Sequence, residues 1–305
     1  MVIANCIILV LIVTEWLIKQ GKKIVFGKGI LKSCFVKQLR CKIKFEDLTY
    51  PKNIIREVKV KKNILEVNNL TKKYNSKKVL NEISFKVKSG EIVGLIGPNG
   101  AGKTTTMQSI LGLIEKNQGE IYYNGQILKK QKEIVPHISY IPEQPIYYED
   151  LTLEEHLQFV AMLFKLPKNE YQKRKEFLIE YLNLEEHLKK FPDKLSKGTK
   201  QKFMISCAFI RDFDLLIADE PFFGLDPGSI KKLKDLFLKY KDKGKSIFVS
   251  THLLDLAQTF CDKYIFLNQG EIIASGSQQE MNERIDFVQD KDLSLEEIFL
   301  KFIEG

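Results

Sequence analysis

An apolar run, Glu91-Ile92-Val93-Gly94-Leu95-Ile96, leads directly into Gly97-Pro98-Asn99-Gly100-Ala101-Gly102-Lys103-Thr104, and Thr104 to Ile114 reads as a helix. The pattern GxxxxGK[ST] recurs by chance, but between a buried strand and a helix it specifies a phosphate-binding turn. Glycines let backbone N–H groups converge on phosphate oxygens with no Cβ in the way, and the helix N-terminus adds the positive end of its dipole. Lys103 is then expected to neutralise the β and γ phosphates, with Thr104 offering its hydroxyl to Mg²⁺ and Thr105 following in the first helical turn. A glycine turn before a helix without a ligand is the plain competing reading. The strand and helix on either side weigh against it, and they predict an α/β fold.

Further short apolar runs recur at Leu215–Ala218, Ser246–Ser250 and Tyr264–Asn268, the pattern of parallel strands covered on both faces. Ile64 to Leu70 and Ile83 to Val87 alternate instead, predicting half-buried strands. Glu154 to Asn183 carries Leu157, Val160, Ala161, Phe164, Leu178 and Leu182 at helical spacing, broken at Pro167, and so predicts a helical insertion. The run Leu215–Ala218 ends in Asp219-Glu220-Pro221. A buried strand ending in two carboxylates puts them at its C-terminal edge, where doubly wound sheets bind ligands. Asp219 is expected to hold Mg²⁺ through water, and Glu220 to polarise the water that attacks a γ-phosphate.

Charge is distributed unevenly along the 305 residues. Lys plus Arg number 48 against 39 Asp plus Glu, a net of +9. Lys19 to Lys62 hold 14 basic and 3 acidic residues, and residues 1–18 add only Glu15, which leaves −1 for everything from Asn63 onward. A nucleic-acid partner is therefore not expected of the larger part, despite the basic total. Hydrophobic content of 44% excludes a disordered chain. Cys6, Cys34, Cys41, Cys207 and Cys261 show neither CxxC nor Cys/His ligand spacing, which argues against a disulfide framework or zinc and for a reducing cytosol. His137, His156 and His187 are expected in surface or packing roles.

Residues 1–62 form an apolar and then basic extension. Residues 2–13 are almost wholly apolar and precede Trp16 and a run of lysines, which fits an anchor with its basic end in the cytoplasm. No Met lies between Met1 and Met107, and the Arg56-Glu57-Val58 codons can encode a purine-rich ribosome-binding stretch ahead of a start at Val60. Three readings stay open: translated upstream sequence, a membrane anchor, or a soluble appendage.

Further motifs fall in order behind these. Leu195-Ser196-Lys197-Gly198-Thr199 with Lys200-Gln201 resembles the LSGGQ signature of ATP-binding cassette (ABC) ATPases, Phe223-Gly224-Leu225-Asp226-Pro227 their D-loop, and Ser250-Thr251-His252 their switch histidine. The resemblance covers about residues 64–305. It implies a P-loop NTPase fold with a strand-rich ATP-binding core and a helical signature subdomain at about 145–208, within a domain spanning 63–305. ATP and Mg²⁺ would be its cofactors. By the same resemblance Tyr74 would stack on adenine, while Ser196 and Gly198 would face the γ-phosphate held by the other subunit. Asp226 would link the two sites, and His252 would contact the γ-phosphate. A second copy of the domain, favouring a homodimer, and a separate integral membrane permease are implied partners, which places the chain at the cytoplasmic face of the membrane.

One departure stands at Tyr140-Ile141-Pro142-Glu143-Gln144, where the family carries a glutamine after the proline. Glu143 and Gln144 both remain candidates for sensing Mg²⁺ and the attacking water. The segments YIPEQPIYYEDLTLEEHLQFVAM, KLSKGTKQKFMISCAF and DEPFFGLDP resemble the ATPase subunits of Ecs-type exporters, which implies export of peptide, protein or another hydrophobic substrate. A non-transport cassette acting on nucleic acid or ribosomes is the competing reading. It lacks the paired cassettes or long heptad runs usual in such proteins.

Overall fold

A computed structural model describes residues 63–128, 136–285 and 293–304. The segment 1–62, with the three readings given for it, lies outside the described residues. Strands β1 (Asn63–Tyr74) and β2 (Lys77–Lys88) pair antiparallel, and β1 also pairs antiparallel with β4 (Gln118–Tyr123), which carries β5 (Gln126–Ile127) at its edge. Alternation sets this register. Leu65 opposite Val87 and Val67 opposite Phe85 are buried, whereas Glu66 opposite Lys86 forms a surface ion pair at 3.0 Å.

The second sheet runs in the order β10-β9-β3-β8-β7-β6 and is parallel except for its β10 edge. Its strands are β3 (Ile92–Ile96), β6 (Ile138–Ile141), β7 (Leu215–Asp219), β8 (Ser246–Thr251), β9 (Lys263–Asn268) and β10 (Glu271–Gly276). Successive residues of its central strands enter different cores. Leu215, Ile217 and Phe248 pack with the apolar residues of β1 and β2, while Leu216, Ala218, Ile247 and Val249 pack with the helices. Both faces are covered, so the middle of each of these two strands is apolar on both sides. β7 and β8 each run one residue further than their apolar stretches predict, because Asp219 pairs with Ser250 and Thr251 with Ile96.

Helix α1 (Lys103–Ile110) is shorter than the predicted Thr104–Ile114. Gly112 adopts φ 62°, its N–H donates to Ser109 O, and Leu113 N donates to Gln108 O. This paired left-handed termination satisfies the last carbonyls and ends the helix. Between β6 and β7 lie α2 (Leu153–Leu163), α3 (Lys168–Leu182) and α4 (Lys197–Phe209). Pro167 sits at the N-cap of α3, which accounts for the break in the periodic segment. Leu157, Leu178, Leu182 and Phe203 join these helices to the core that also holds Leu216 and Val249. After β7 come α5 (Pro227–Lys241), α6 (Leu254–Gln258), α7 (Gln278–Asn282) and α8 (Leu295–Glu304). Among the described residues no helix is long and apolar enough to cross a membrane.

The start of α2 fixes the preceding loop. Thr152 and Glu155 form a reciprocal cap, with Glu155 N donating to Thr152 Oγ1 and Thr152 N to Glu155 Oε2. One residue on, His156 is buried against Phe203, its Nδ1 2.8 Å from Thr152 O while Nε2 accepts from Tyr148 N at 2.8 Å. These partners require the neutral ring with its hydrogen on Nδ1, and burial pushes the pKa down to about 4 against the opposing pull of Thr152 and Glu155. From about pH 6.5 down to about 4 the unfolded imidazole binds a proton that the native one does not. Stability is then expected to fall on acidification, by up to about 3 kcal/mol from this group. Urea unfolding at about pH 7 and about pH 5 is expected to show a larger loss for the native protein than for His156→Gln, and equal losses would acquit the histidine.

Candidate nucleotide site

Four neighbouring strands deliver the site from their C-terminal ends: β3 the glycine loop, β8 Ser250 to His252, β7 Asp219 and Glu220, and β6 Glu143. Such an edge of a parallel sheet is the place where this architecture binds ligands. The glycine loop is tight where it must be. A Cβ on Gly97 would come within 2.2 Å of Leu267 O, and one on Gly102, at φ 110°, within 2.6 Å of Leu80. Gly100, at φ 82°, supplies a second left-handed turn that a side chain disfavours. Ala101 N donates to Pro98 O, and Thr106 Oγ1 donates to Gly102 O, closing the loop onto α1. Pro98, Asn99 and Gly100 lie along its outer turn, and Thr105 is half-buried in the first turn of α1.

Lys103 is buried, and its Nζ donates to Gly97 O at 2.7 Å and Pro98 O at 3.2 Å while lying 3.2 Å from Glu220 Oε1. Glu220 Oε2 in turn lies 3.0 Å from His252 Nδ1. The carboxylate is thus flanked by an ammonium and an imidazole. Glu220 itself adopts φ 43°, a left-handed conformation unusual for a side chain of this kind.

Asp219 is fully buried. Burial raises its carboxyl above the usual range, with the charges of Glu143 and Glu220 adding to the effect and the Ser250 and Thr104 hydroxyls opposing it. Its Oδ1 accepts from Ser250 Oγ at 2.6 Å, whereas buried Oδ2 has no hydrogen-bond partner among the described residues. An orphaned buried carboxylate oxygen beside a threonine hydroxyl is a donor set suited to a hard divalent cation. Thr104 and Asp219 therefore fit Mg²⁺, and the glycine cradle with its lysine fits a polyphosphate.

The other predicted residues lie apart. Tyr74, at the end of β1, is exposed, and Lys72 Nζ stands 4.7 Å over its ring, itself hydrogen-bonded to Glu115 O. Glu143 and Gln144 are both exposed at the rim of a groove shared with Tyr147, Lys200 and Phe223. Glu143 carries a charge that acts on Asp219, and Gln144 is neutral. Ser196 caps α4, its Oγ accepting from Thr199 N, and Asp226 caps α5, accepting from Ser229 N at 2.9 Å. The Ser229 hydroxyl and backbone N–H hold the Asp226 carboxyl well below the usual range, with Lys202 adding to them. Among the described residues, no hydrogen bond or ion pair joins Ser196, Gly198 or Asp226 to Lys103, Glu220 or His252.

A backbone contact and a side chain connect these two groups. A Cβ on Gly198 would fall 2.8 Å from Gly224 O, and buried Gln201 donates from Nε2 to Pro221 O at 3.0 Å. The N-terminus of α4 therefore rests on the turn that follows Glu220. Sequence reasoning gave no role to Gln201 or to Ser250. A polar residue directly after the apolar run Ile247-Phe248-Val249 was the available signal for the second.

Comparison with known proteins agrees with this geometry. Residues 80–223 match the family model described as ABC transporter. The ABC-type transporter ATP-binding protein EcsA of Bacillus subtilis is 42% identical over 239 residues, covering 78% of this chain and 96% of its own. A solved ATP-binding subunit of an ABC transporter superposes with TM-score 0.74 at 41% identity, over 79% of this chain and 99% of that one. The cassette MJ0796, solved as a post-hydrolysis dimer bound to ADP and Pi, superposes with TM-score 0.62 at 25% identity, over 70% of this chain and 98% of that one. With its glycine cradle, its paired carboxylates and these likenesses, the chain belongs to the ATP-binding subunits of ABC transporters, the ATPases that drive transport.

Proposed function

We propose that the chain closes head to tail on ATP with a second copy of itself, hydrolyses the nucleotide and drives a separate membrane permease that exports a peptide, protein or other hydrophobic substrate. The Lys103–Glu220–His252 cluster beside an Asp219 with a free buried oxygen is the observation that carries this reading. Lys103 exchanges its contact with Glu220 for the β and γ phosphates, which frees the carboxylate. Glu220 then accepts the proton of the attacking water as the new bond to γ-phosphorus forms and the bond to ADP breaks. His252 orients that carboxylate and donates toward the γ-phosphate. Thr104 and Asp219 would hold Mg²⁺, which would supply positive charge to the phosphates, with Glu143 and Gln144, side by side at the rim, as the two candidates for sensing it. Tyr74 offers an exposed ring to adenine.

The dimer reading draws on MJ0796, and the exporter reading on EcsA and the segments that resemble its type. A match of 239 residues covering nearly all of EcsA is close to the length of 63–305, which supports that span as the cassette, with about 145–208 as its helical part. Its place is the cytoplasmic face of the membrane, reached through the permease. Ser196 and Gly198 at the start of α4, and Asp226 at the start of α5, complete the neighbour's site. Mixing tests this arrangement. Lys103→Met and Ser196→Arg are each expected to be inactive alone, because one lacks the phosphate-binding ammonium and the other blocks the donated helix start. Mixed, they form heterodimers with one intact composite site, recovering up to about a quarter of the native rate. A mixture as inactive as its parts would count against a head-to-tail dimer.

A further inference from the structure

Ser250 is fully buried at the end of β8, in register with Asp219 of β7 on one side and Leu95 of β3 on the other. Its hydroxyl is used twice. Oγ donates its single hydrogen to Asp219 Oδ1 at 2.6 Å and accepts from Glu220 N at 2.9 Å. A serine has one hydrogen to give and two lone pairs to offer, so both bonds form at once. The first turns Asp219 so that Oδ1 is occupied and Oδ2, buried and without a partner, is the oxygen left over. The second satisfies the N–H of Glu220 at the point where the backbone enters its left-handed conformation at φ 43°. From that conformation the Glu220 carboxylate reaches Lys103 and His252.

The geometry points to Ser250 as a positioning residue that sets the cation-binding oxygen of Asp219 and the aim of the Glu220 carboxylate through one hydroxyl. This rests on the proposed roles of the two carboxylates and adds a residue that acts only through them. Without the hydroxyl, a buried N–H and a buried carboxylate oxygen lose this partner together.

The test compares Ser250→Ala, Ser250→Thr and Glu220→Gln in the full chain. Ser250→Ala is expected to hydrolyse ATP about 10- to 100-fold more slowly, with ATP binding in the absence of divalent cation within about twofold of native. Mn²⁺, titrated by electron paramagnetic resonance into the nucleotide-bound protein, is expected to bind about fivefold or more weakly, a readout that general loosening of the strand would not single out. Ser250→Thr keeps the hydroxyl and is expected to restore most of both. Native turnover and native Mn²⁺ affinity in Ser250→Ala, beside an inactive Glu220→Gln, would overturn the role of Ser250 and leave the carboxylate assignment standing; native turnover in Glu220→Gln would overturn the assignment itself. If Ser250→Ala fails to fold, Ser250→Val against Ser250→Thr decides, because the two are nearly isosteric and equal rates overturn the role.

Discussion

Glu220→Gln is expected to lower ATP turnover by about 100-fold or more while ATP affinity stays within about threefold, because a positioned general base contributes 10²- to 10⁴-fold. The substitution preserves volume and leaves His252 and the strained backbone in place, so what is removed is basicity. It also removes the counter-charge of Lys103 in the nucleotide-free protein, where the two groups lie 3.2 Å apart and both are buried. Phosphate restores that counter-charge. The variant's melting temperature is therefore expected to rise more on adding ATP than the native protein's does. Slow hydrolysis with intact binding also traps the closed state, so ATP is expected to shift the variant to a dimer on size-exclusion chromatography. Phosphate release at the native rate would remove Glu220 as the base.

Lys103→Met is expected to weaken ATP binding about 100-fold or more, since a charge-assisted contact to phosphate is lost from a water-excluded cradle. Methionine fills a similar volume, so the glycine loop is not emptied. What remains is Glu220 without its ammonium partner, and breaking a buried pair on one side costs about 3–5 kcal/mol in general. His252, 3.0 Å from the other carboxylate oxygen, makes the lower end of that range the expectation here. Lys103→Met combined with Glu220→Gln removes both charges and is expected to be more stable than either single variant. A double-mutant cycle by urea unfolding reads the coupling, and additive losses would show that the ion pair contributes nothing to the nucleotide-free fold.

The part of the site that was legible in the sequence is the part encoded locally. Gly97 to Thr104 must follow one strand and precede one helix, and Asp219-Glu220 must end another, so residue order alone assigns them. The pairing of those strands came less directly. β8 lies between β3 and β7 although it follows both in sequence, and nothing short of the three-dimensional register places Ser250 against Asp219. The hydroxyl shared by the Asp219 carboxylate and the Glu220 N–H was invisible for that reason. Gln201 was hidden differently, since a glutamine on a helix face reads as solvent-facing until Pro221 O is found beneath it. The expected helix ran past Gly112, where the chain reverses hand and α1 has already ended. The basic excess of the first 62 residues gave no access to this site, whose described residues all belong to the nearly neutral stretch from Asn63 onward.

The contact of Gly198 with Gly224 bears on timing. In the proposed two-fold dimer each subunit holds one phosphate chain on its own loop and offers the start of α4 to its neighbour's. Between those two duties stands a backbone-to-backbone touch with no side chain that could bend, reinforced by Gln201 on Pro221. In that dimer a displacement of the turn after Glu220 would be passed directly to the start of α4, and so toward the neighbouring nucleotide. The two sites would then share a rigid link.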